Sequence, residues 1–321
     1  MMMDPQGLWP GKSLLADTER AALLEKLHGP FGEALETHEL ESVTQALERV
    51  YLPLAAWIAN RHQSAPLLVG VNGAQGSGKS TLCTLLKRVL ELGFNLRVVT
   101  LSLDDLYLTH AERVHLSQTV HPLLITRGVP GTHDVGLGMD LLSALKQGES
   151  RSIPTFDKAQ DDRKSVHLWP NFKGPADMIL FEGWCVGARP QKDTDLIAPV
   201  NTLEAEADPD GAWRHYVNDQ LKGVYANLFD LLDVLIMLKV PSFEHVFAWR
   251  GLQEQRLAES VGAQPNAAEG LMGPAELQHF IMHFERLTRA MLDEMPSRAD
   301  LTLFLGEDHQ VDRVQSATGT R

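Results

Sequence analysis

Short apolar runs alternate with longer stretches of helical periodicity along most of the chain. Leu67–Val71 is the first such run, and Lys79–Leu92 follows it with apolar positions at helical spacing. Further runs predict strands at Leu96–Leu103, Met178–Phe181, Val234–Val240 and Leu301–Leu305. The intervening segments predict helices at Gly138–Gln147, Trp213–Leu231, Phe243–Ser260 and Pro274–Glu294. Alternating strands and helices predict an α/β fold with a mostly parallel sheet flanked by helices.

The chain before the first predicted strand has a different pattern. Asp17–His28 and Leu35–Arg61 both have apolar positions at helical spacing, and Pro66 ends the second of them. We therefore expect residues 1–65 to form a helical extension that packs on a core domain of residues 66–321.

Two polar segments interrupt the alternation later in the chain. Thr109–Asp134 is rich in histidine, proline and glycine, and Gly187–Gly211 is polar and acidic. We expect both to be loop excursions near the carboxyl edge of the sheet, where open α/β sheets bind ligands.

The turn after the first strand matches the phosphate-binding pattern GxxxxGK[ST] in full. Glycines let successive backbone N–H groups point at phosphate oxygens, and the following helix adds its positive dipole end. The pattern predicts that Lys79 reaches the β- and γ-phosphates of ATP and that the Ser80 hydroxyl binds Mg²⁺. The predicted nucleotide-binding residues are Gly73, Ala74, Gln75, Gly76, Ser77, Gly78, Lys79, Ser80 and Thr81.

Two predicted strands lead into acidic residues. Glu182 follows Met178–Phe181, and P-loop enzymes need a carboxylate near magnesium, so Glu182 joins Ser80 as a predicted metal ligand. Asp104 and Asp105 follow the second strand, and adjacent residues of a strand point to opposite sides. We expect one of them to accept the proton of an acceptor hydroxyl. The structural alternative for Glu182 is a surface glutamate at a strand end, and the alternative for Asp104 and Asp105 is a solvated turn.

Composition narrows the class of function. The formal net charge is -13, which argues against a broad surface for nucleic acid or an anionic membrane. Cys83 and Cys185 lie far apart without metal-ligand spacing, as in proteins of a reducing compartment. The sequence shows no signal peptide and no apolar run long enough to cross a membrane, so we expect a cytoplasmic protein with a small-molecule substrate. The oligomeric state is left open.

With these residues assembled, the sequence resembles the P-loop kinases of the uridine kinase, phosphoribulokinase and bacterial pantothenate kinase group. Within that group it is most similar to D-glycerate 3-kinases of the plant and fungal type. The resemblance extends from about Pro66 onward. The residues that carry it are Ser102–Thr109, Arg127, Gly128, Gly131–Asp134, Pro154, Phe156–Lys158, Asp162, Arg163, Leu180–Trp184, Trp249, Arg250 and Gln253.

The resemblance implies an ATP- and Mg²⁺-dependent kinase for a small anionic metabolite, with D-glycerate favoured. It implies that Asp104 is the catalytic base, that Lys79 is catalytic, and that Arg250, with Arg256 nearby, lies on a lid helix over the transferring phosphoryl group. The expected acceptor-binding residues are Asp105, Tyr107, Arg127, His133, Asp134, Lys158 and Arg163.

Each cation of the predicted acceptor pocket has a structural alternative. Arg127 could pair with Asp134, and Lys158 with Asp157, while Arg163 could pair with the aspartates that precede it. His133 could fix a loop by hydrogen bonding. Two rival functions also remain: a kinase of the same fold for pantothenate, a nucleoside or a sugar phosphate, and a regulatory P-loop NTPase with water as the acceptor.

Overall fold

The computed structural model of the protein describes residues 8–10, 13–35, 39–261 and 273–317, without the side chains of residues 40, 253–261 and 274. Its strands alternate with helices, which confirms the predicted α/β fold. The strands are β1 (Leu67–Gly73), β2 (Val98–Ser102), β3 (Arg151–Ser152), β4 (Phe156–Asp157), β5 (Asp162–Arg163), β6 (Asn171–Phe172), β7 (Met178–Gly183), β8 (Val234–Lys239), β9 (Leu301–Leu305) and β10 (Val311–Ser316).

The helices of the described residues cover both faces of the sheet. They are α1 (Asp17–Ala34), α2 (Leu40–Ala46), α3 (Leu52–Ala59), α4 (Lys79–Phe94), α5 (His110–Thr119), α6 (Val135–Lys146), α7 (Thr202–Ala207), α8 (Ala212–Lys222), α9 (Val224–Phe229), α10 (Phe243–Val261) and α11 (Pro274–Glu294). A π-helical turn at Leu47–Tyr51 joins α2 to α3. None of the helices in these residues combines the length and the apolar character that crossing a membrane requires.

The main sheet has the strand order β10-β9-β8-β1-β7-β2. All its pairs are parallel except that of β9 with β10, which is antiparallel. From β1 the chain passes to the edge strand β2 and returns to β7, which lies between β1 and β2. It then crosses to the other side of β1 and continues outward through β8 and β9. This reversal creates a crevice at the carboxyl end of β1, where open α/β sheets bind ligands.

Successive side chains of each strand point to opposite faces of the sheet, and apolar side chains fill a core on each face. Helix α4 contributes Leu82, Leu86 and Val89 to one core, at the spacing of a single helical face. Leu27 of α1 and Ile58 of α3 lie fully buried in the same cluster, so the N-terminal helices pack on α4. The proposed division at residue 65 stays a prediction, because these helices share the core of the following region.

Several predicted boundaries differ from the structure. The predicted helix Trp213–Leu231 is broken at Gly223, whose backbone leaves the helical region and separates α8 from α9. The predicted Leu35–Arg61 helix contains the π-helical turn and begins only at residue 40. The edge strand β10 was not predicted, because its two apolar residues, Val311 and Val314, are separated by polar residues and do not form an apolar run.

Candidate active site

The glycine-rich turn lies at the crevice, between β1 and α4. Gly76 and Gly78 have φ values of +78° and +82°, a backbone conformation that glycine adopts without steric cost. A Cβ atom on Gly73 would lie 2.5 Å from Ser77 Oγ, so the loop closes tightly on itself. Such a loop presents its N–H groups at a helix N-terminus and suits a chain of phosphates.

A hydroxyl and a carboxylate meet beside this turn. Glu182 lies near the end of β7, paired with Val71 of β1 and Ser102 of β2. Its Oε1 accepts a hydrogen bond of 2.9 Å from Ser80 Oγ. The second oxygen, Oε2, is buried and has no hydrogen-bond partner in the described part of the chain. Oxygen donors of this kind fit Mg²⁺, which prefers hard ligands and retains several waters.

The two adjacent aspartates lie in a 3₁₀ turn, Leu103–Leu106, and not within a strand. Strand β2 ends at Ser102, so neither aspartate belongs to a strand. The expectation that strand alternation separates the two side chains was therefore wrong. The turn still gives them different surroundings. Asp105 accepts a 2.9 Å hydrogen bond from the Phe156 N–H, and burial raises the pKa of its carboxyl group.

Asp104 receives two side-chain hydrogen bonds. Tyr107 donates its hydroxyl to Oδ1 at 2.7 Å, and Lys158 donates to Oδ2 at 2.7 Å. Burial by itself raises the pKa of Asp104, but the positive charges of Lys158 and Lys79 outweigh it and hold the pKa well below its usual range. Asp104 is therefore an anion that lies within the electrostatic reach of the P-loop lysine.

A buried ring system lies behind Asp104. The rings of Tyr107 and His133 stack with centroids 4.8 Å apart. Tyr225 O lies 2.6 Å from His133 Nδ1 and accepts the Gly131 N–H at 3.0 Å. The Tyr225 hydroxyl must then donate to Nδ1, because it has no other acceptor among the described residues. The proton of the neutral ring is consequently on Nε2, which is buried and has no partner in the same residues.

Burial lowers the pKa of His133 to about 4. The imidazole is therefore neutral near pH 7 and can offer a hydrogen bond but no positive charge. His133 fixes a loop, as the structural alternative supposed, yet it also keeps one N–H donor unused.

The loop between Arg127 and His133 is fastened to the core mainly through its backbone. Gly128 has a φ of +130°, and a Cβ atom there would lie 2.5 Å from the Phe284 ring. Thr132 Oγ1 accepts the Gly128 N–H at 2.9 Å, and Trp184 Nε1 donates to the Gly128 carbonyl at 2.7 Å. These contacts place Arg127 at the entrance of the site with its side chain partly exposed.

The predicted cations find partners distant in sequence. Arg127 pairs with Asp161, so the alternative pair with Asp134 is wrong. Arg163 instead pairs with Asp134 at 3.1 Å and donates to the Tyr107 carbonyl. Lys158 pairs with Asp104 and not with Asp157.

Asp134 also caps helix α6, because its Oδ1 accepts the Leu137 N–H at 3.0 Å. One carboxylate thus anchors both the start of a helix and the guanidinium of Arg163. Asp134 thereby connects the end of the loop 127–133 to the β4–β5 hairpin.

Helix α10 passes directly over the P-loop. A Cβ atom on Gly76 would lie 3.2 Å from Trp249 Cβ and 3.4 Å from the backbone N of Arg250. The ring of Trp249 lies 3.7 Å from that of His309, centroid to centroid, which ties α10 to the loop after β9. The helix therefore brings Arg250 next to the phosphate-binding turn, while the side chain of Arg256 lies outside the described residues.

Sequence reasoning missed two residues of this region. Tyr225 lay inside a predicted amphipathic helix and gave no sign of a polar role. From the sequence, Asp161 is only a possible partner of its neighbour Arg163. In the structure Asp161 lies in a turn, with a φ of +52°, and pairs with Arg127. The available signal was the pair of adjacent acids at 161 and 162 in a segment otherwise rich in cations.

The chain was compared with known proteins, and no protein-family model matches it. An uncharacterized kinase of Schizosaccharomyces pombe is 33% identical over 232 residues, covering 69% of this chain and 79% of that protein. The chloroplastic D-glycerate 3-kinase of Arabidopsis thaliana is 27% identical over 292 residues, covering 83% of this chain and 60% of that protein. The solved structure of D-glycerate 3-kinase from Cryptococcus neoformans var. grubii is 28% identical, with a TM-score of 0.67 over 83% of this chain and 96% of that chain.

Proposed function

Because the chain belongs to the P-loop kinases that act on small molecules, we propose that it uses ATP to phosphorylate a hydroxyl group of D-glycerate. Two of the compared proteins are D-glycerate 3-kinases by name, which supports the 3-hydroxyl as the acceptor. The observation that carries the proposal is the position of Asp104. This anion lies 2.7 Å from a lysine of the acceptor loops and within the electrostatic reach of the P-loop lysine.

The P-loop accounts for the ATP side of the proposal. The backbone of residues 73–81 and the N-terminus of α4 bind the phosphates, and Lys79 neutralises charge at the β- and γ-phosphates. Arg250 adds a positive charge from the lid helix α10 when the phosphoryl group transfers. Water is excluded by the same helix, because its backbone lies against Gly76.

Ser80 and Glu182 are the residues that would hold Mg²⁺. Their oxygens lie 2.9 Å apart, and Glu182 has a second, unpartnered oxygen. When bound, the ion neutralises negative charge on the β- and γ-phosphate oxygens. Glu182 is fixed by its place in β7, so the carboxylate is oriented before any ligand arrives.

Asp104 accepts the proton of the acceptor hydroxyl. Its low pKa makes it a weak base while Lys158 is bonded to it, since the best base has a pKa near the working pH. The loose transition state of phosphoryl transfer needs little proton removal early in the reaction. Orientation of the hydroxyl by Asp104 and Tyr107 is therefore part of the same role.

The carboxylate of D-glycerate is received by cations and by a neutral donor. Arg127 is partly exposed and can form two parallel hydrogen bonds to a carboxylate. Lys158 contributes a second positive charge, and His133 can donate through its protonated Nε2. Arg163 and Asp134 hold the surrounding loops in place, and Asp105 fixes Phe156 of the β4–β5 hairpin.

A metabolite panel tests the proposal. The purified protein is given magnesium-ATP with D-glycerate, pantothenate, a nucleoside or a sugar phosphate, and ADP release is compared with the rate without acceptor. D-glycerate should stimulate ADP release far above that rate, with phosphate on the 3-hydroxyl by ³¹P NMR. The Lys79→Ala variant, matched for thermal unfolding, should lose turnover with every acceptor.

Other outcomes of the panel assign other functions. Stimulation by pantothenate or a nucleoside but not by D-glycerate would keep the kinase activity and reject the glycerate assignment. ATP hydrolysis that no metabolite affects would instead support a regulatory NTPase with water as the acceptor.

A further inference from the structure

Among the described residues, three arginines lie around the predicted acceptor site, and two of them direct most of their N–H donors to the protein. Arg113 is almost fully buried and donates to the carbonyls of Leu108, Ile125 and Asp161 at 3.3, 2.7 and 2.7 Å. Its guanidinium therefore serves to hold the chain. The three bonds join the backbone at residues 108, 125 and 161 through one buried side chain.

Arg163 is also committed to the protein, which accepts hydrogen bonds from three of its five N–H donors. Its Nε and Nη2 donate to the Tyr107 carbonyl at 3.3 and 3.1 Å, and Nη1 donates to Asp134 at 3.1 Å. Its side chain is only 15% exposed. Arg163 is thus a fixed part of the wall of the site.

Arg127 differs from both. A guanidinium has five N–H donors, and that of Arg127 donates one hydrogen bond among the described residues, to Asp161 Oδ1. Its Cζ lies over the ring of Phe156, 5.5 Å from the ring centroid. Arg127 is therefore the one of these three arginines with the most donors left for a carboxylate, and it is also the most exposed of them.

Asp161 is held by more than Arg127. Its Oδ2 lies 2.8 Å from Arg113 Nη2 and 3.2 Å from His110 Nδ1. Its carbonyl also accepts from Arg113, so the residue stays anchored even when one side-chain contact is lost. Asp161 can release Arg127 and still keep a buried guanidinium and a histidine as partners.

We propose that Asp161 is a specificity-determining residue, an internal carboxylate that competes with the carboxylate of the acceptor for Arg127. This inference rests on the proposed function, in which the acceptor is a small carboxylate. An acceptor carboxylate must displace Asp161 from Arg127, so this contact weakens the binding of carboxylate acceptors. A neutral alcohol binds without replacing Asp161 and is unaffected by it. Asp161 therefore sets how strongly a carboxylate acceptor is preferred over a neutral one.

The same turn carries a second exchangeable contact. Lys158 and Asp161 are the two ends of the four-residue turn 158–161 between β4 and β5. Lys158 holds Asp104, and Asp161 holds Arg127. An acceptor that exchanges both side-chain contacts therefore frees the base and the carboxylate-binding arginine together, while the backbone of Asp161 stays bonded to Arg113.

Asp161→Asn tests the competition. Asparagine tolerates the positive φ of this position, and the backbone bond to Arg113 is retained, so the variant should fold. Removal of the competing charge should lower the KM for D-glycerate about two- to five-fold, the range expected for a partly exposed ion pair. The kcat should stay within two-fold of the unmodified protein. The KM for glycerol, which has no carboxylate, should not change.

Asp157→Asn is the matched control. It makes the same change of charge in the same hairpin, but the Asp157 carboxylate accepts, from the described residues, just the N–H groups of Ala159 and Gln160. Its KM should equal that of the unmodified protein. A second control combines Asp161→Asn with Arg127→Ala, where the effect of Asp161→Asn on KM should vanish.

Acetate separates this inference from the substrate assignment. Acetate-dependent increases in Tm report binding of a bare carboxylate without turnover. They should be larger in Asp161→Asn than in Asp157→Asn and absent in Arg127→Ala, whether or not D-glycerate is the acceptor. Equal increases in the two aspartate variants, or an equal change in KM for glycerol and D-glycerate, would overturn the inference while leaving the kinase assignment intact.

Discussion

Replacement of Asp104 by asparagine tests the chemical step most directly. The variant keeps the shape of the side chain, and its amide oxygen can still accept the Tyr107 hydroxyl. The lost ion pair with Lys158 involves a lysine that is 63% exposed, so its contribution to folding is at most about 1 kcal/mol. Loss of general-base help typically costs 10²–10⁴-fold in rate, about 3–5 kcal/mol of barrier. The rate should therefore fall far more than the stability.

Asp105→Asn is the neighbouring control for this variant. Asparagine can accept the Phe156 N–H as Asp105 does, so kcat should change much less than in Asp104→Asn. The measurements are kcat and KM with the best acceptor, the Kd for ATP, and the midpoint of urea unfolding. The Kd for ATP should be nearly unchanged, because the phosphates are held by the P-loop.

Two results would refute this assignment. If Asp105→Asn loses the chemical step while Asp104→Asn stays within a few-fold of the unmodified protein, the roles must be reversed. Equal and modest losses in both variants would instead indicate catalysis by positioning and electrostatics alone.

Two further predictions concern the buried polar groups. Burial lowers the pKa of both His133 and His283 to about 4, below the unfolded value of about 6.5, so the unfolded chain binds more protons between these pH values. The free energy of unfolding should therefore fall as pH falls from 6.5 to 4. The expected decrease is up to about 1.4 kcal/mol per pH unit for each histidine. Urea midpoints that do not change over this pH range would contradict the prediction. Tyr225→Phe leaves the Gly131 N–H and His133 Nδ1 without a partner, so it should cost about 1–3 kcal/mol of stability and raise the acceptor KM more than it lowers kcat. An unchanged KM would remove Tyr225 from the acceptor site.

The nucleotide side of the site could be predicted from the sequence because its signal is local. The turn from Gly73 to Ser80 contains the glycines, the lysine and the hydroxyl within one continuous segment between a strand and a helix. Glu182 was also predictable, since an acid that ends a buried strand must lie at the carboxyl edge of the sheet. Both conclusions depend on geometry that a few consecutive residues determine.

The pairing of the acceptor cations could not be predicted, because it depends on contacts across the fold. Arg127 pairs with a residue 34 positions away, and Lys158 with one 54 positions away. Neighbours in sequence were the wrong partners in both cases. Nothing in the local sequence indicates that the hairpin of β4 and β5 folds back onto the 3₁₀ turn that carries Asp104.

The acceptor site combines a rigid wall with a displaceable one. His133 and Tyr225 are buried, and each is fixed by hydrogen bonds and ring contacts to the core. Lys158, on the opposing hairpin, is 63% exposed, and Asp104 is its one ion-pair partner among the described residues. A ligand can replace the exposed contact at low cost, because solvent already weakens it, whereas a change in the buried wall would leave polar atoms unsatisfied. In the proposed acceptor site, we therefore expect the buried rings to recognise the shape of the acceptor and the hairpin to respond to its charge.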